Sequence, residues 1–223
     1  MKPEAPARGA RNEVRRIKDR AHYDVEALNA VLDAGFIAHV GFVVDGQPFV
    51  IPMMYCRDGD GILLHGSIAS RLIHSLADGI PACVTVTHLD GLVLARSHFH
   101  HSANYRSAVC FGLARAIDDG DAKSAALARF VDAILPGRAA EARPADRNEL
   151  AATRVLRMQI EDASVKIRSG GAKDDKEDVG LPFWAGVVPM HHQTSTPIPS
   201  EDCALPLPAS VHRLLGSATQ EAA

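Results

Sequence analysis

Residues 36–67 read FIAHVGFVVDGQPFVIPMMYCRDGDGILLHGS, and this stretch determines the class of fold. It contains three short runs rich in β-branched and aromatic residues, at 36–44, 48–57 and 62–67. Asp45-Gly46 and the DGDG sequence at 58–61 separate the runs, and Asp-Gly pairs supply the positive φ angles that tight hairpin turns require. The stretch therefore predicts a three-stranded antiparallel meander.

The flanking sequence predicts further strands and a few helices. Asp24 is placed to cap a helix in which apolar residues recur at helical spacing, and Gly35 is placed to end it. Other predicted helices lie at 70–78 and 121–135, and other predicted strands at 82–87, 92–96, 107–117, 155–160 and 165–168. Strands and helices do not alternate as in a parallel α/β sheet, so the prediction is a mainly β fold, a split β-barrel with peripheral helices.

Length and charge limit the domain organisation and the classes of partner. A chain of 223 residues with a net charge of −3 predicts one main domain without a general basic surface for nucleic acid or acidic membranes. We expect a flexible basic arm at residues 1–20, a single domain at 21–189 and a flexible tail at 190–223, on composition. Since no apolar segment approaches the ~20 residues that span a bilayer, we expect a cytoplasmic protein.

A candidate anion site lies where the run 62–67 meets the next helix. The run ends in His65, Gly66 and Ser67, and Ser70 and Arg71 open the helix. Backbone N–H groups, the helix dipole and a forked guanidinium would converge there, which suits a phosphate. The alternative is that Ser70 is only an N-cap and Arg71 only a solvated side chain.

A second polar segment, at 105–107, belongs to the same series of motifs as the candidate anion site. Tyr105, Arg106 and Ser107 stand at the start of a long apolar strand that continues to Arg115. The motifs H-G-S-x-x-S-R-L at 65–72, N-Y-R-S at 104–107, F-G-x-A-R at 111–115, L-P-G-R at 135–138 and L-P-F-W-A-G at 181–186 occur in this order. Together they resemble the nitroimidazole-resistance flavoproteins of the pyridoxamine-phosphate-oxidase-like superfamily, over residues 24–189.

The resemblance implies an FMN-binding split β-barrel that works as a homodimer, with two FMN molecules between the subunits. It implies that one strand lies along the flavin ring and offers it main-chain hydrogen bonds. The residues of that strand are Val50, Ile51, Pro52, Met53, Met54 and Tyr55. By the same resemblance, His65, Gly66 and Ser67 follow the flavin, Ser70 and Arg71 hold its phosphate, and Ser107 matches a position where the oxidases use a glutamine on the flavin.

Three further side chains have roles that the sequence leaves open. Arg106 could add a second positive charge for the phosphate, on grounds of charge. Trp184 would anchor the core or the dimer contact, or else cover the flavin. The position of His65 matches a histidine beside the reactive face of the flavin, where an imidazole could act as a catalytic proton donor or simply as a hydrogen-bonding group.

Departures from the family pattern narrow the expected function. Leu72 stands where pyridoxamine phosphate oxidases have a second basic residue, and no C-terminal R-x-H-[DE]-R element is present. We therefore expect an FMN-dependent oxidoreductase that reduces a small organic acceptor, such as a nitro compound or a quinone. The sequence has no G-x-G-x-x-G fingerprint of a dinucleotide-binding domain. NAD(P)H, if it is the electron donor, would therefore bind in the flavin pocket rather than in a domain of its own.

Two alternatives remain at this point. The protein could be a non-catalytic protein that binds or senses a flavin or a haem, or a reductase that depends on the deazaflavin F420. His98, His100 and His101 form a cluster that could take a metal or contact haem. No acidic or cysteine ligand accompanies this cluster at the usual spacing, so no metal site is predicted.

Overall fold

The computed structural model describes residues 9–220, with side chains as far as Gly216. Its strands are β1 (Ala21–His22), β2 (Ile37–Val44), β3 (Gln47–Met54), β4 (Cys56–Asp58), β5 (Gly61–Ser67), β6 (Pro81–Leu94), β7 (Ser102–Ala116), β8 (Thr153–Gln159), β9 (Asp162–Arg168) and β10 (Gly186–Pro189). Its helices are α1 (Val25–Asp33), α2 (Arg71–Ala77), α3 (Gly120–Ile134), α4 (Arg147–Ala152) and α5 (Ala209–Gln220).

The ten strands of the described chain form one antiparallel sheet that does not close. Its main path runs β3-β2-β6-β7-β8-β5-β4, while β9 pairs with β7 and β1, and β10 pairs with β6. β3 contacts β5 without pairing with it, so the barrel is split between these two strands. The predicted mainly β, split-barrel fold is confirmed, and the homodimer stays a prediction.

The first helix shows how local sequence and core packing agree. The side chain of Asp24 accepts a hydrogen bond from the N–H of Ala27, as the N-cap prediction requires. The buried face of α1 packs on the barrel, and the hydroxyl of Tyr55 donates to the carbonyl of Leu32 at 2.6 Å inside the protein. This contact fixes the end of β3 against the core.

β5 is buried on both faces because two groups of apolar side chains meet it. Ile62 and Leu64 belong to the main core inside the barrel, which α1 and α2 also cover. Leu63 points the other way and packs with Phe130 of α3 in a smaller core. Alternation along the strand therefore decides which helix each β5 residue contacts.

The structure differs from the sequence predictions in how the strands are divided. The run predicted at 48–57 forms two strands, β3 and β4, which pair with β2 and β5 respectively, so the predicted three-stranded meander is two hairpins. The two strands predicted at 82–87 and 92–96 are one strand, β6, with a register shift between Leu89 and Gly91. A bulge lets a strand continue through an Asp-Gly pair that otherwise indicates a turn. β1, β10 and α5 have no clear sequence signal, because they are short or lie in polar segments. α4 was not predicted either, although Asp146 and Glu149 form a capping box at its start.

Both terminal segments make contacts with the domain. The first eight residues of the arm predicted at 1–20 lie outside the described residues, but Asn12 is buried and donates its amide to the carbonyl of Ala163. Within the segment predicted as a tail, α5 begins with a buried Ser210 bound to Glu141. None of the helices in the described part of the chain is long and apolar enough to cross a membrane.

Candidate functional site

The open edge of β3 presents main-chain groups that pair with no other strand in residues 9–220. The N–H of Tyr55 donates to the carbonyl of Phe36 at 3.0 Å, so the odd-numbered residues of β3 bond toward β2. In an antiparallel strand the main-chain groups point to alternate sides, and the even-numbered residues therefore point to the open edge. Pro48 and Pro52 both have even numbers, as expected for residues without an N–H in an edge strand.

This alternation sorts the six predicted flavin-contacting residues of β3. Val50, Pro52 and Met54 have exposed side chains on the outer face and main-chain groups at the open edge. Ile51 and Met53 point inward and pack against the main core, and Tyr55 is fully buried. Side-chain contact with a ligand at this edge is thus open to the first three, whereas the other three support the strand from within.

Arg71 lies beside β3 at the split of the barrel. Its guanidinium carbon is 5.0 Å from the ring centroid of Phe49, which faces inward from β3. The side chain is exposed, and none of the ion pairs among the described residues includes it. An exposed guanidinium held on an aromatic face without a carboxylate partner is suited to binding an anion.

The hydroxyl residues around Arg71 shape the start of α2. Ser70 is the N-cap residue, yet its side chain makes no capping hydrogen bond. The hydroxyl of Ser67 accepts from the N–H of Ala69 at 3.2 Å, and the carbonyl of Ser67 accepts from the N–H of Ser70 at 2.9 Å. The turn is therefore tied by its own backbone, and the side chain of Ser70 is not needed for it.

Gly66 allows α2 to approach β5 closely. A Cβ atom at this position would lie 3.0 Å from Cγ1 of Ile73. Glycine thus sets the distance between β5 and α2, and with it the position of Arg71. The sequence resemblance gave Gly66 a place beside the flavin, and the structure adds this packing role.

His65 occupies the opposite face of β5 from α2. Its ring meets the edge of Phe130 of α3 with the centroids 4.3 Å apart, and its buried Nδ1 atom has no hydrogen-bond partner within residues 9–216. Burial lowers the pKa of His65, so the imidazole is neutral near pH 7. The structure therefore does not bring the imidazole onto the same face of the strand as α2 and Arg71.

The predicted residues of β7 are divided between two faces of the sheet. Tyr105 and Ser107 point outward. In the strand register they lie opposite Arg168 and Lys166 of β9. Arg106 points the other way and donates three hydrogen bonds of 2.8 to 3.3 Å to Asp90. This pairing lowers the pKa of Asp90, and it leaves Arg106 without an uncompensated charge for a phosphate.

Distance also separates these residues from β3. β2 and β6 lie between β3 and β7 in the sheet. At ~4.8 Å per strand, β7 lies about 14 Å from β3 measured along the curved sheet of one subunit. Sequence reasoning missed both Phe49, the support of Arg71, and Asp90, the partner of Arg106. Phe49 could have been found by its position next to Val50, but Asp90 depends on the register at the bulge.

The histidine cluster lies in the turn between β6 and β7. Nδ1 of His101 is 2.8 Å from the carbonyl of Ser97, so Nδ1 carries the proton and Nε2 carries the lone pair. Nε2 of His100 is 3.0 Å from a carboxylate oxygen of Asp175. Phe99, between them and His98, is 89% exposed.

Trp184 lies at the same end of the sheet as this cluster, because Gly186 of β10 pairs with Leu94 of β6. Its side chain is 65% exposed and therefore does not anchor the core of the single chain.

Among residues 9–216, no group of three or more histidine, cysteine, aspartate or glutamate side chains is placed to hold a metal ion.

Comparison with known families gives one match. A family profile described as Pyridoxamine 5'-phosphate oxidase matches residues 24–167, from the cap of α1 almost to the end of β9. Comparison with curated proteins gives no match. The resemblance drawn from the sequence motifs is confirmed at the level of this superfamily.

Three of the solved structures similar to this chain bear on its family and its fold. The flavocytochrome Anf3 from Azotobacter vinelandii has 40% sequence identity and a TM-score of 0.86, covering 95% of this chain and 98% of that protein. The FAD and haem binding protein from Mycobacterium smegmatis has 41% identity and a TM-score of 0.83, covering 87% and 96%. A protein from Bacteroides thetaiotaomicron named for 5-nitroimidazole antibiotic resistance has 20% identity and a TM-score of 0.56, covering 66% and 86%, and shares the fold.

Proposed function

The chain belongs to the pyridoxamine 5'-phosphate oxidase family, and from this premise we propose that it is a redox protein that binds a flavin along the open edge of β3. The observation that carries the proposal is the set of main-chain groups of Val50, Pro52 and Met54, which pair with no strand among the described residues, next to an arginine that forms no ion pair with any of those residues. Both features lie at the split of the barrel.

The residues at this edge fit a flavin. The ring of a flavin has a polar edge that takes main-chain hydrogen bonds, and Val50 and Met54 each offer an N–H and a carbonyl there. Arg71 would bind the phosphate through charge-assisted hydrogen bonds, with the hydroxyl of Ser70 beside it. When bound, the flavin supplies the electron transfer, while the protein positions it and limits the access of water.

The two relatives with about 40% identity bear on which flavin is bound. The sequence predicts FMN, because it shows one phosphate site and no second nucleotide-binding segment. The relative from Mycobacterium smegmatis is named for FAD and haem. We therefore propose FAD, and chromatography of the released cofactor distinguishes it from FMN.

A haem is the second group that we propose. Both of these relatives have names that include haem or a cytochrome. His101 has the arrangement expected of an iron ligand, since its Nδ1–H donates to a carbonyl and its Nε2 keeps the lone pair. Phe99 and Trp184, both exposed at the same end of the sheet, could cover an apolar macrocycle.

The haem proposal is tested by titration with haemin. His101→Ala should shift the Soret band and weaken haem binding at least about tenfold. His98→Ala serves as the matched control, because His98 forms no hydrogen bond to a carbonyl of the residues that the structure describes. An unchanged Soret band in His101→Ala would assign the iron to another residue.

The physiological reaction that we propose is electron transfer from a nicotinamide donor to a small organic acceptor, such as a nitro compound or a quinone. A flavin- or haem-sensing role without turnover and an F420-dependent reductase are the alternatives. Steady-state oxidation of NADPH with added acceptors separates turnover from sensing.

A homodimer is part of the proposal. Tyr105 and Ser107 point outward from β7, which lies about 14 Å from β3 along the curved sheet, so a second subunit is the simplest source of such residues at the flavin of the first. Exposed apolar side chains on the outer face of β2 and β3, Ile37, Val43 and Val50 among them, would be covered in the dimer.

An absorption spectrum of freshly purified protein tests the flavin proposal. We expect paired flavin bands in the blue region, with a Soret band when haem is also bound. A deazaflavin band at shorter wavelength would replace the flavin by F420, and a protein that takes up no flavin when titrated with FAD or FMN would contradict the proposal.

A further inference from the structure

The segment between β10 and α5 is an arm that is tied down at both ends. At one end, the N–H of Met190 donates to the carbonyl of Asp90 at 3.1 Å. At the other end, the N–H of Ser210 donates to Glu141 at 3.0 Å, and the hydroxyl of Ser210 donates to the same carboxylate at 2.5 Å. We define the arm as residues 191–207, and it is distinct from the basic N-terminal arm predicted at 1–20.

Between these ends the arm has almost no support from its own chain. For the part of the chain that the structure describes, the arm's one backbone hydrogen bond is internal, from the N–H of Cys203 to the carbonyl of Ser200 at 2.9 Å. Ile198 is 93% exposed and Leu205 is 80% exposed. A connection of this length without secondary structure is uncommon unless it has a function of its own.

The composition of the arm suits an extended segment that lies on another surface. Pro197, Pro199 and Pro206 restrict the backbone to extended conformations and reduce the entropy lost on ordering. Each large aliphatic side chain that becomes buried in a contact adds to its stability. The arm thus presents apolar side chains on a backbone that is already restricted.

We infer that the arm of each subunit packs against a second copy of this chain. This inference deepens the homodimer proposed above and rests on it. The same molecule carries a second uncovered apolar surface, the outer face of β2 and β3, which includes Ile37 and Val43. Two uncovered apolar surfaces on one chain can cover each other through a two-fold exchange between subunits.

The size of the arm agrees with this role. It contributes 17 residues, from 191 to 207, to each side of the interface. A stable interface uses roughly 20–30 residues a side, so the arm would supply more than half of them. On this inference the arm, which lies within the segment predicted as a flexible tail at 190–223, is a main part of the dimer contact.

Cys203 lies on the arm and is exposed, which permits a direct test with the full-length protein. A benzophenone maleimide is attached to Cys203, and labelled protein in ¹⁴N and ¹⁵N forms is mixed, equilibrated and irradiated. We expect about half of the cross-linked peptide pairs to combine the two isotopes, since random mixing of two forms gives half hybrids. Cys203→Ser is the control that should lose the cross-links. Peptide pairs of a single isotope only would overturn the inference.

A double variant measures the contribution of the arm. Ile198→Ser with Leu205→Ser should weaken the dimer at least a hundredfold in sedimentation equilibrium, because four aliphatic side chains leave the contact in each dimer. Val131→Ser, an exposed site on α3, is the matched control and should leave the dimer unchanged. An unchanged dissociation constant in the double variant would overturn the inference.

The flavin content of the same fractions separates this inference from the proposed function. A wild-type monomer that holds flavin would overturn the role of the arm and support flavin binding. A dimer with hybrid cross-links that takes up no flavin would support the arm and contradict the flavin proposal.

Discussion

The middle of the sheet and its open edge each carry an arginine that the sequence assigns to the phosphate of a cofactor. In the middle, Arg106 of β7 is bound to Asp90 through three hydrogen bonds. At the edge, Arg71 rests on Phe49, and no ion pair among the described residues includes it. Positive charge in a motif therefore does not establish that the charge is available, because a neighbouring carboxylate can already compensate it.

The two regions also differ in how much space they leave. A Cβ atom at Gly112 in β7 would lie 1.9 Å from the backbone carbonyl oxygen of Gln159, whereas at Gly66 it would lie 3.0 Å from the side chain of Ile73. Backbone atoms held in a sheet cannot shift to make room for an added Cβ, whereas the end of a flexible side chain can. A side chain at Gly112 thus requires the backbone to move, whereas Ile73 can shift to accept one at Gly66.

The largest expected effect follows from this difference in space. Gly112→Ala should destabilise the protein by roughly 3 kcal/mol or more, while Gly66→Ala should cost about 1 kcal/mol. Urea unfolding of the two variants measures both values. Equal losses of stability would show that the two regions are packed alike.

The second prediction compares the two arginines directly. Arg71→Ala should weaken flavin binding about ten- to a hundredfold, the equivalent of about 1.5 to 3 kcal/mol for charge-assisted hydrogen bonds. Arg106→Ala should change it less than about threefold, since Asp90 already holds that guanidinium. Titration of the flavin-free variants gives both constants. A larger loss in Arg106→Ala than in Arg71→Ala would reverse the assignment.

The third prediction concerns His65, which lies beside the split but faces α3. Burial lowers its pKa in the folded state, so the unfolded chain binds the proton first as the pH falls. Stability is therefore greatest above the unfolded pKa of about 6.5 and falls as the pH drops toward the folded pKa, by at most ~1.4 kcal/mol per pH unit.

His65→Phe tests this dependence, because phenylalanine keeps the contact with Phe130 and removes the titration. Its stability should depend less on pH than that of the wild type between pH 7 and 5, as measured by urea unfolding at several pH values. The activity of the flavin-loaded His65→Gln variant tests the separate prediction of a proton donor. A rate that stays within threefold of wild type would remove the catalytic role.

The smallest expected effect is at Asp90. Arg106 lowers the pKa of this carboxylate in the folded protein. The contribution of the carboxylate to the free energy of unfolding is therefore present above the unfolded pKa of about 3.9, and it is lost as the pH falls through the lower pKa of the folded state. Asp90→Asn should cost about 1 kcal/mol or less at pH 7, because the pair is partly exposed to solvent. The difference from wild type should shrink in acid, and a difference that grows there would contradict the pairing.

Local signals were sufficient for much of the fold. Asp-Gly pairs placed the hairpins around β2, β3 and β5, and Asp24 placed the start of α1. The bulge between Leu89 and Gly91 was not foreseen, because an Asp-Gly pair also indicates a turn. Since this bulge brings Asp90 beside Arg106, the state of Arg106 could not be predicted either.

The candidate site was predictable in its location but not in its orientations. The motif at 65–72 correctly placed serine and arginine at the start of a helix. The strand face on which His65 lies depends on α3, some sixty residues further along the chain, so the motif alone did not indicate it. The sequence pattern of β3 likewise did not separate the residues at the open edge from Tyr55 in the core.

Hydrogen exchange at β3 tests the central claim most directly. The flavin-free and flavin-loaded proteins are compared at residue resolution. We expect the amides of Val50 and Met54, which point to the open edge, to gain at least tenfold protection when flavin binds. The amides of Ile51 and Met53 should change little, because they already bond to β2. Protection that appears around residues 98–101 and leaves β3 unchanged would contradict the proposed flavin site.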